Sequence, residues 1–365
     1  MKAARIFCFS ILGWQVVSAP VAAGQSILIG YTNCLAVTNY SQPLMDQIGQ
    51  LKWYFAHASV GDCMMAGITA LHQMNTNFYP IQDVLAGGTP SGTLQAGMIY
   101  NYSRGNPAWQ VKVDTFQSYV SNGWRFPLVN LAMNKMCFID PTADVNYYIK
   151  SMTNLETAFP ETLFVYATMP LTMTNYDGYY NLYLRNCYND GLRAWISTNN
   201  RVLFDLADIE AHDTNGVLCT FSYSNQVCQQ LYSNYNTGDF GHPDTPYAEQ
   251  LLAKGFYALA AGLMAVDRDH DGVSDGQELI AGTRPGDPQS VFKLAAPQLI
   301  GPDLAWLQWN SASNRFYTLQ RSTNLATAAG YTNLSPDVPA TPPDNSYTDS
   351  PGPGGALFYR VRVRQ

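Results

Sequence analysis

With 365 residues, 47% of them hydrophobic and 13% charged, the chain has apolar material for more than one core. A net charge of −7 argues against nucleic acid and against an anionic membrane surface as partners. Beyond the N-terminus no run approaches the roughly 18 apolar residues that would span a bilayer, so the reading is of a protein that is not membrane-spanning.

Residues 1–23 read as a signal peptide, with Lys2 and Arg5 as the positive region, Ile6–Val17 as the apolar stretch and Val21-Ala22-Ala23 as the cleavage site. The expected location is therefore secreted, periplasmic or cell-surface. Cleavage removes Cys8 and leaves six cysteines, an even number in an oxidising compartment. Cys219–Cys228, closing a short polar loop, is the expected bridge. No cysteine or histidine spacing suggests zinc.

Residues 24–266 alternate short apolar runs with helical patterns. Ser26–Ile29 reads as an edge strand, and strand Leu51–His57 is followed by helix Asp62–Met74. From Asn75 to Pro107 the Gly, Pro, Asn and Ser content predicts a long ordered loop. Helix Ala108–Ser121, strand Phe126–Met133, helix Ala143–Phe159, strand Leu163–Thr168, helix Tyr179–Ser197 and strand Val202–Leu206 come next. A polar loop over Glu210–Asp239 leads to the last helix, Tyr247–Val266. This succession predicts an α/β fold, a three-layer α/β/α sandwich around a parallel sheet. Such sheets carry their sites beyond the C-terminal strand ends, where Ser59, Asn134, Pro170 and Asp205 fall.

Residues 267–289 read as a calcium-binding linker. Asp267, Asp269, Asp271, Val273, Asp275 and Glu278 occupy positions 1, 3, 5, 7, 9 and 12 of a twelve-residue loop, with Gly272 at the sharp turn. A hard cation needs six or more oxygens, and one loop with this spacing supplies them. The expected cofactor is structural Ca2+, with none for catalysis. Residues 290–365 change to a period of two and predict a small β-sandwich.

Five histidines make the search for a general base short. His270 lies in the calcium loop, His72 in a helix, His57 at a strand end and His212 after an acidic run. His242 follows Asp239 by three residues on a glycine-containing turn, so one segment supplies a base and the carboxylate that orients it. Ser59 stands on a small-residue turn between strand and helix, where a nucleophile is exposed and helix amides face developing charge.

These residues resemble the SGNH (GDSL-like) hydrolases over residues 50–265. His57-Ala58-Ser59 stands where the family has Gly-Asp-Ser, so the serine alone matches. Ala132-Met133-Asn134-Lys135 keeps the Asn of Gly-x-Asn-Asp, and Asp239-Phe240-Gly241-His242 matches Asp-x-x-His. The resemblance implies Ser59 as nucleophile, His242 as base, Asp239 as its support, and Asn134 with Gly105 as oxyanion donors, Gly88 and Gly97 being rivals for Gly105. It also implies a serine esterase, with an acylated carbohydrate as the expected ester substrate. Acyl transfer is the alternative within the class, and a non-catalytic glycan-binding or adhesion protein the alternative outside it. The calcium loop with Gly282-Thr283-Arg284-Pro285 is similar to a thrombospondin type 3 repeat. The terminal module is similar to fibronectin III-like accessory domains, which implies a glycan or cell-surface ligand there.

Overall fold

A computed structural model describes residues 6–8, 26–86, 94–122, 129–301, 303–325, 330–351 and 356–365. Its centre is a seven-stranded sheet in which every strand pairing is parallel. The strands are β1 (Ile27–Ile29), β2 (Trp53–His57), β3 (Gln82–Leu85), β4 (Met98–Ser103), β5 (Leu131–Asn134), β6 (Leu163–Ala167) and β7 (Val202–Phe204). Their spatial order is β1-β7-β6-β5-β2-β4-β3. After β2 the chain runs to the edge strand β3, returns inward to β4 beside β2, then crosses to β5 on the other side. The β2–β5 junction is thus the point where the winding reverses, the place where sheets of this kind carry their sites.

Every residue of β2, β5 and β6 is buried, and apart from His57 and Asn134 at their C-terminal ends these strands read as apolar runs. Alternation still assigns the faces. Trp53, Phe55, Leu131, Met133, Val165 and Phe204 share one core with helices α1 (Val60–Met74) and α5 (Pro246–Ala265). Tyr54, Ala56, Ala132, Phe164, Tyr166 and Leu203 share the other with α2 (Trp109–Ser121), α3 (Val145–Ala158) and α4 (Tyr179–Asn199). The three-layer α/β/α architecture expected from the sequence is present.

The stretch 75–107 is not one long loop, because it contains β3 and β4. β3 is an edge strand with exposed or half-buried side chains, so its strand character comes from pairing with β4 and not from an apolar pattern. The polar loop likewise begins inside helix Leu206–Ala211 and contains an antiparallel hairpin, Thr220–Tyr223 with Gln226–Gln229. Of the run expected as strand Phe126–Met133, residues 126–128 lie outside the described residues. So does most of the expected leader, apart from Ile6–Cys8, which pairs in parallel with Leu357–Tyr359. No helix among the described residues is long and apolar enough to cross a membrane.

All six cysteines beyond the leader are free thiols, so the expected Cys219–Cys228 bridge is not formed. Cys228 is buried opposite Phe221, while the Cys219 thiol donates to the Val217 carbonyl (3.9 Å).

Helix α6 (Asp275–Ala281) follows the acidic loop and wedges between two cores. Leu279 and Ile280 belong to the α1/α5 core, and Ala281 to the C-terminal core. The Asn130 side chain donates to the Leu279 carbonyl (2.8 Å), and Arg315 donates to the carbonyls of Leu279 (3.0 Å) and Ile280 (2.8 Å). Asn130 precedes β5, so this junction lies at the N-terminal edge of the sheet. The C-terminal region folds as two small sheets, one three-stranded and antiparallel, the other of three C-terminal strands with Ile6–Cys8 added at its edge. Leu307, Trp309, Tyr317, Leu319, Tyr359 and Val361 fill the space between them.

Candidate active site

The end of β2 runs into α1 through His57-Ala58-Ser59. Ser59 sits at the helix N-cap position with φ 60° and ψ −113°, a conformation that costs a non-glycine residue about 1–3 kcal/mol. The turn is tight enough that a Cβ on Gly61 would lie 2.4 Å from the His57 side chain. The His57 ring is itself buried, stacked on Phe55 at 4.6 Å, with Nε2 3.4 Å from Asn101 Oδ1. Burial, with nearby Lys135 adding to it, pushes its pKa down to about 3, so His57 is neutral and acts in packing.

The serine hydroxyl meets the one histidine on the distant turn. Ser59 Oγ lies within hydrogen-bond reach of His242 Nε2, and His242 Nδ1 pairs with Asp239 Oδ2. With the proton on Nδ1, the imidazole donates to Asp239 and accepts from the serine, the direction a general base requires. The other histidines are engaged elsewhere: His72 Nδ1 with the Tyr79 carbonyl (2.8 Å), His212 Nδ1 with the Asp208 carbonyl (2.7 Å), His270 Nδ1 with the Asp267 carbonyl (3.1 Å).

Asp239 Oδ1 accepts from the amides of Gly241 (3.0 Å) and His242 (2.9 Å) and from Asn236 Nδ2 (2.6 Å). Partial burial works to raise this carboxyl, but these donors and the imidazole outweigh it and hold the group well below the ordinary carboxylate range. Asn236 escaped the sequence reading. Its Nδ2 also donates to the His242 carbonyl (2.8 Å), and its Oδ1 accepts from the amides of Gly238 and Phe240 (both 2.9 Å). It therefore shapes the turn that holds both Asp239 and His242, including Phe240 at φ 67°. The signal was available as an Asn three residues before Asp-x-x-His. Phe138 packs edge-on against the His242 ring at 5.0 Å, and a Cβ on Gly241 would approach that phenyl ring to 2.9 Å.

β2 is flanked by β5 and β4, which bring the two expected donor segments to either side of Ser59. Asn134 pairs in register with Ala56, and Ser103 with His57. Asn134 is fully buried, and neither its Nδ2 nor its Oδ1 has a partner among the described residues. A buried, unpaired carboxamide is costly, and such exceptions need a reason. Gly105 follows β4 with φ 71° and open space around it. Gly97 lies at the opposite end of β4, where its amide donates to the Leu51 carbonyl (3.0 Å) before β2 begins. It is therefore remote from the serine. Gly88 lies outside the described residues.

Two further cavities, of about 320 and 360 Å3, contain none of these residues; the first lies against Gln50, Gln277 and Arg362, the second against Glu156, Arg201 and Arg284.

In the acidic loop, one oxygen each from Asp267, Asp269 and Asp271 lies within 4.8 Å of the others. Asp269 Oδ2, Asp271 Oδ2 and Glu278 Oε2 are buried without a partner among the described residues. Burial and then the neighbouring carboxylates push Asp269 up, and burial with Asp269 and Asp271 pushes Glu278 up to about 9. Orphaned, mutually repelling oxygens fit a hard divalent cation. Val273 donates its amide to Asp271 Oδ1 (2.8 Å). Asp275 stands apart from the cluster, paired with Arg268, as suits a loop position that often reaches its ion through water.

No family model matches the chain, and no curated protein matches it. Solved structures match over part of the chain. An acetyl-xylooligosaccharide esterase from Geobacillus has 14% identity, with 60% of this chain and 98% of that one covered at a TM-score of 0.37. A GDSL-like lipase from Bacteroides thetaiotaomicron has 12% identity, 64% and 97% coverage, and a TM-score of 0.33. The peptidoglycan O-acetyltransferase A catalytic domain of Streptococcus pneumoniae has 10% identity, 57% and 90% coverage, and a TM-score of 0.29. The fold itself rests on the topology of the sheet.

Proposed function

We propose that this protein is an exported serine ester hydrolase of the SGNH type that removes acyl groups, acetyl above all, from carbohydrate. The observation that carries the reading is the hydrogen-bonded series Ser59–His242–Asp239 at the C-terminal edge of a parallel sheet. Ser59 Oγ attacks the ester carbonyl while His242 Nε2 takes its proton, and Asp239 supports the resulting imidazolium. Asn134 Nδ2 and the amides of Ser59 and Gly105 stabilise the oxyanion. Collapse expels the alcohol with a proton from His242. Water, activated by the same imidazole, then releases the acid and restores Ser59. An acceptor alcohol in place of water would make the second step acyl transfer. Carbohydrate as the alcohol is supported by the family resemblance and the 24 tyrosines of the chain. Ca2+ would be held in the acidic loop by Asp267, Asp269, Asp271 and Glu278, with Val273 and Asp275 completing the loop positions, and would supply stability there and no step of the chemistry.

The test is turnover of p-nitrophenyl acetate and labelling by a serine-directed phosphonate. Wild type should do both, and Ser59→Ala neither, with an unchanged melting temperature. Labelling that persists in Ser59→Ala moves the nucleophile elsewhere, and a wild type inert in both assays removes the enzymatic reading.

A further inference from the structure

We infer that Arg104 is a positioning residue that locks the two oxyanion arms, Gly105 and Asn134, to each other across the strand that carries Ser59. The inference rests on the esterase reading above. Arg104 immediately precedes Gly105 at the end of β4, and its backbone amide donates to the His57 carbonyl on β2 (2.9 Å). Its side chain passes to the far side of β2, where Nη2 donates to the Lys135 carbonyl (2.5 Å), directly after Asn134. Lys135 returns the link, its own amide donating to the Ala56 carbonyl of β2 (3.1 Å). One residue thus ties β4, β2 and β5 together at the three positions that border the reacting carbonyl.

The Asn134 peptide is fixed from the other side by the Tyr148 hydroxyl, which donates to the Asn134 carbonyl (2.8 Å) and accepts from the Ala167 amide (3.3 Å). With both carbonyls of Asn134-Lys135 held, the carboxamide of Asn134 projects from a clamped backbone, which is what a preorganised donor needs. The Arg104 guanidinium leaves Nε and Nη1 buried without a partner among the described residues. Two unpaired guanidinium nitrogens are a poor exchange for stability alone. Burial lowers the group to about 10, so it is still cationic at neutral pH and keeps a strong, charge-assisted bond to the Lys135 carbonyl.

The experiment compares Arg104→Met and Arg104→Lys with wild type for kcat and KM on p-nitrophenyl acetate, with the melting temperature alongside. Loosening a donor by about 1 Å costs on the order of 10²-fold. Arg104→Met should therefore lose ~10–100-fold in kcat with KM changed less than about twofold, because the arms act on the transition state. Arg104→Lys, which keeps a cationic donor on a shorter reach, should recover part of that loss. A folded Arg104→Met with kcat within about threefold of wild type, far below that range, overturns the inference. So does a rise in KM that accounts for the whole loss. If Arg104→Met does not fold, Arg104→Lys decides: reduced kcat at wild-type KM supports the tie, and unchanged kcat overturns it. Ser59→Ala serves as the control, since its retained activity would sink the esterase reading and not this one alone.

Discussion

Replacing Asn134 by Ala separates catalysis from stability at one position. The side chain is fully buried, and neither polar atom has a partner among the described residues. Truncation thus removes no protein hydrogen bond. It relieves a buried, unpaired amide that costs about 1–3 kcal/mol, against which stands a small cavity. The two effects are of similar size and opposite sign, so the melting temperature should stay within about 4 °C of wild type, using roughly 2–4 °C per kcal/mol for a domain of this size. Activity should behave otherwise. Losing one oxyanion donor removes about 2.7–4 kcal/mol of transition-state stabilisation, or 10²–10³ in kcat. The assay is kcat on p-nitrophenyl acetate beside a thermal melt of the same sample. A kcat within about threefold of wild type would show that Asn134 does not face the reaction. A kcat loss accompanied by a melting-temperature drop beyond that window would make the side chain structural.

Three other outcomes follow from the packing and the charges. Glu210 is fully buried, and burial raises its carboxyl to about 8 against the opposing pull of the Leu171 amide and Lys135. The folded state therefore holds a proton that the unfolded chain releases near pH 4, and stability falls as pH rises from there through about 8. Glu210→Gln removes that dependence, so its melting temperature relative to wild type should climb between pH 5 and 8. A difference that stays flat or narrows contradicts the raised carboxyl. At Gly67 an added Cβ would meet the Glu249 carbonyl oxygen at 1.9 Å, since α1 and α5 touch backbone to backbone there. Gly67→Ala should cost about 1–3 kcal/mol or more, seen in a denaturant melt, and an unchanged midpoint would show that the helices part freely. Chelating Ca2+ should lower the melting temperature, because binding to the folded state alone adds about 2.7 kcal/mol at 100 times Kd. Small-ester turnover should survive, since α5, 20 residues and roughly 30 Å long, separates the loop from the His242 turn. Loss of turnover on chelation, restored by Ca2+, would place the ion in support of the site.

Local chemistry by itself determined a good deal of this protein. β2 and β6 were legible because strands buried on both faces are largely apolar, and Trp53–Ala56 and Leu163–Ala167 are. Asp239 and His242 were legible because three residues on one turn suffice to pair them, and the acidic loop because its six positions fall within one twelve-residue stretch. What the tertiary structure alone decided involves partners far apart in the chain. Ser59 meets His242 across 183 residues, a proximity that no local periodicity encodes. β3 is a strand only because β4 lies beside it, for its own side chains are largely exposed. That Gly105 lies at the serine's end of β4 and Gly97 at the other depends on strand order and direction. Arg104 looked like a loop residue until its guanidinium was found on the Lys135 carbonyl, 31 residues on. The physical reason is the same in each case: side-chain pattern records how much of a residue is buried, whereas hydrogen bonds between distant segments are chosen only when sheet order and register bring their ends together.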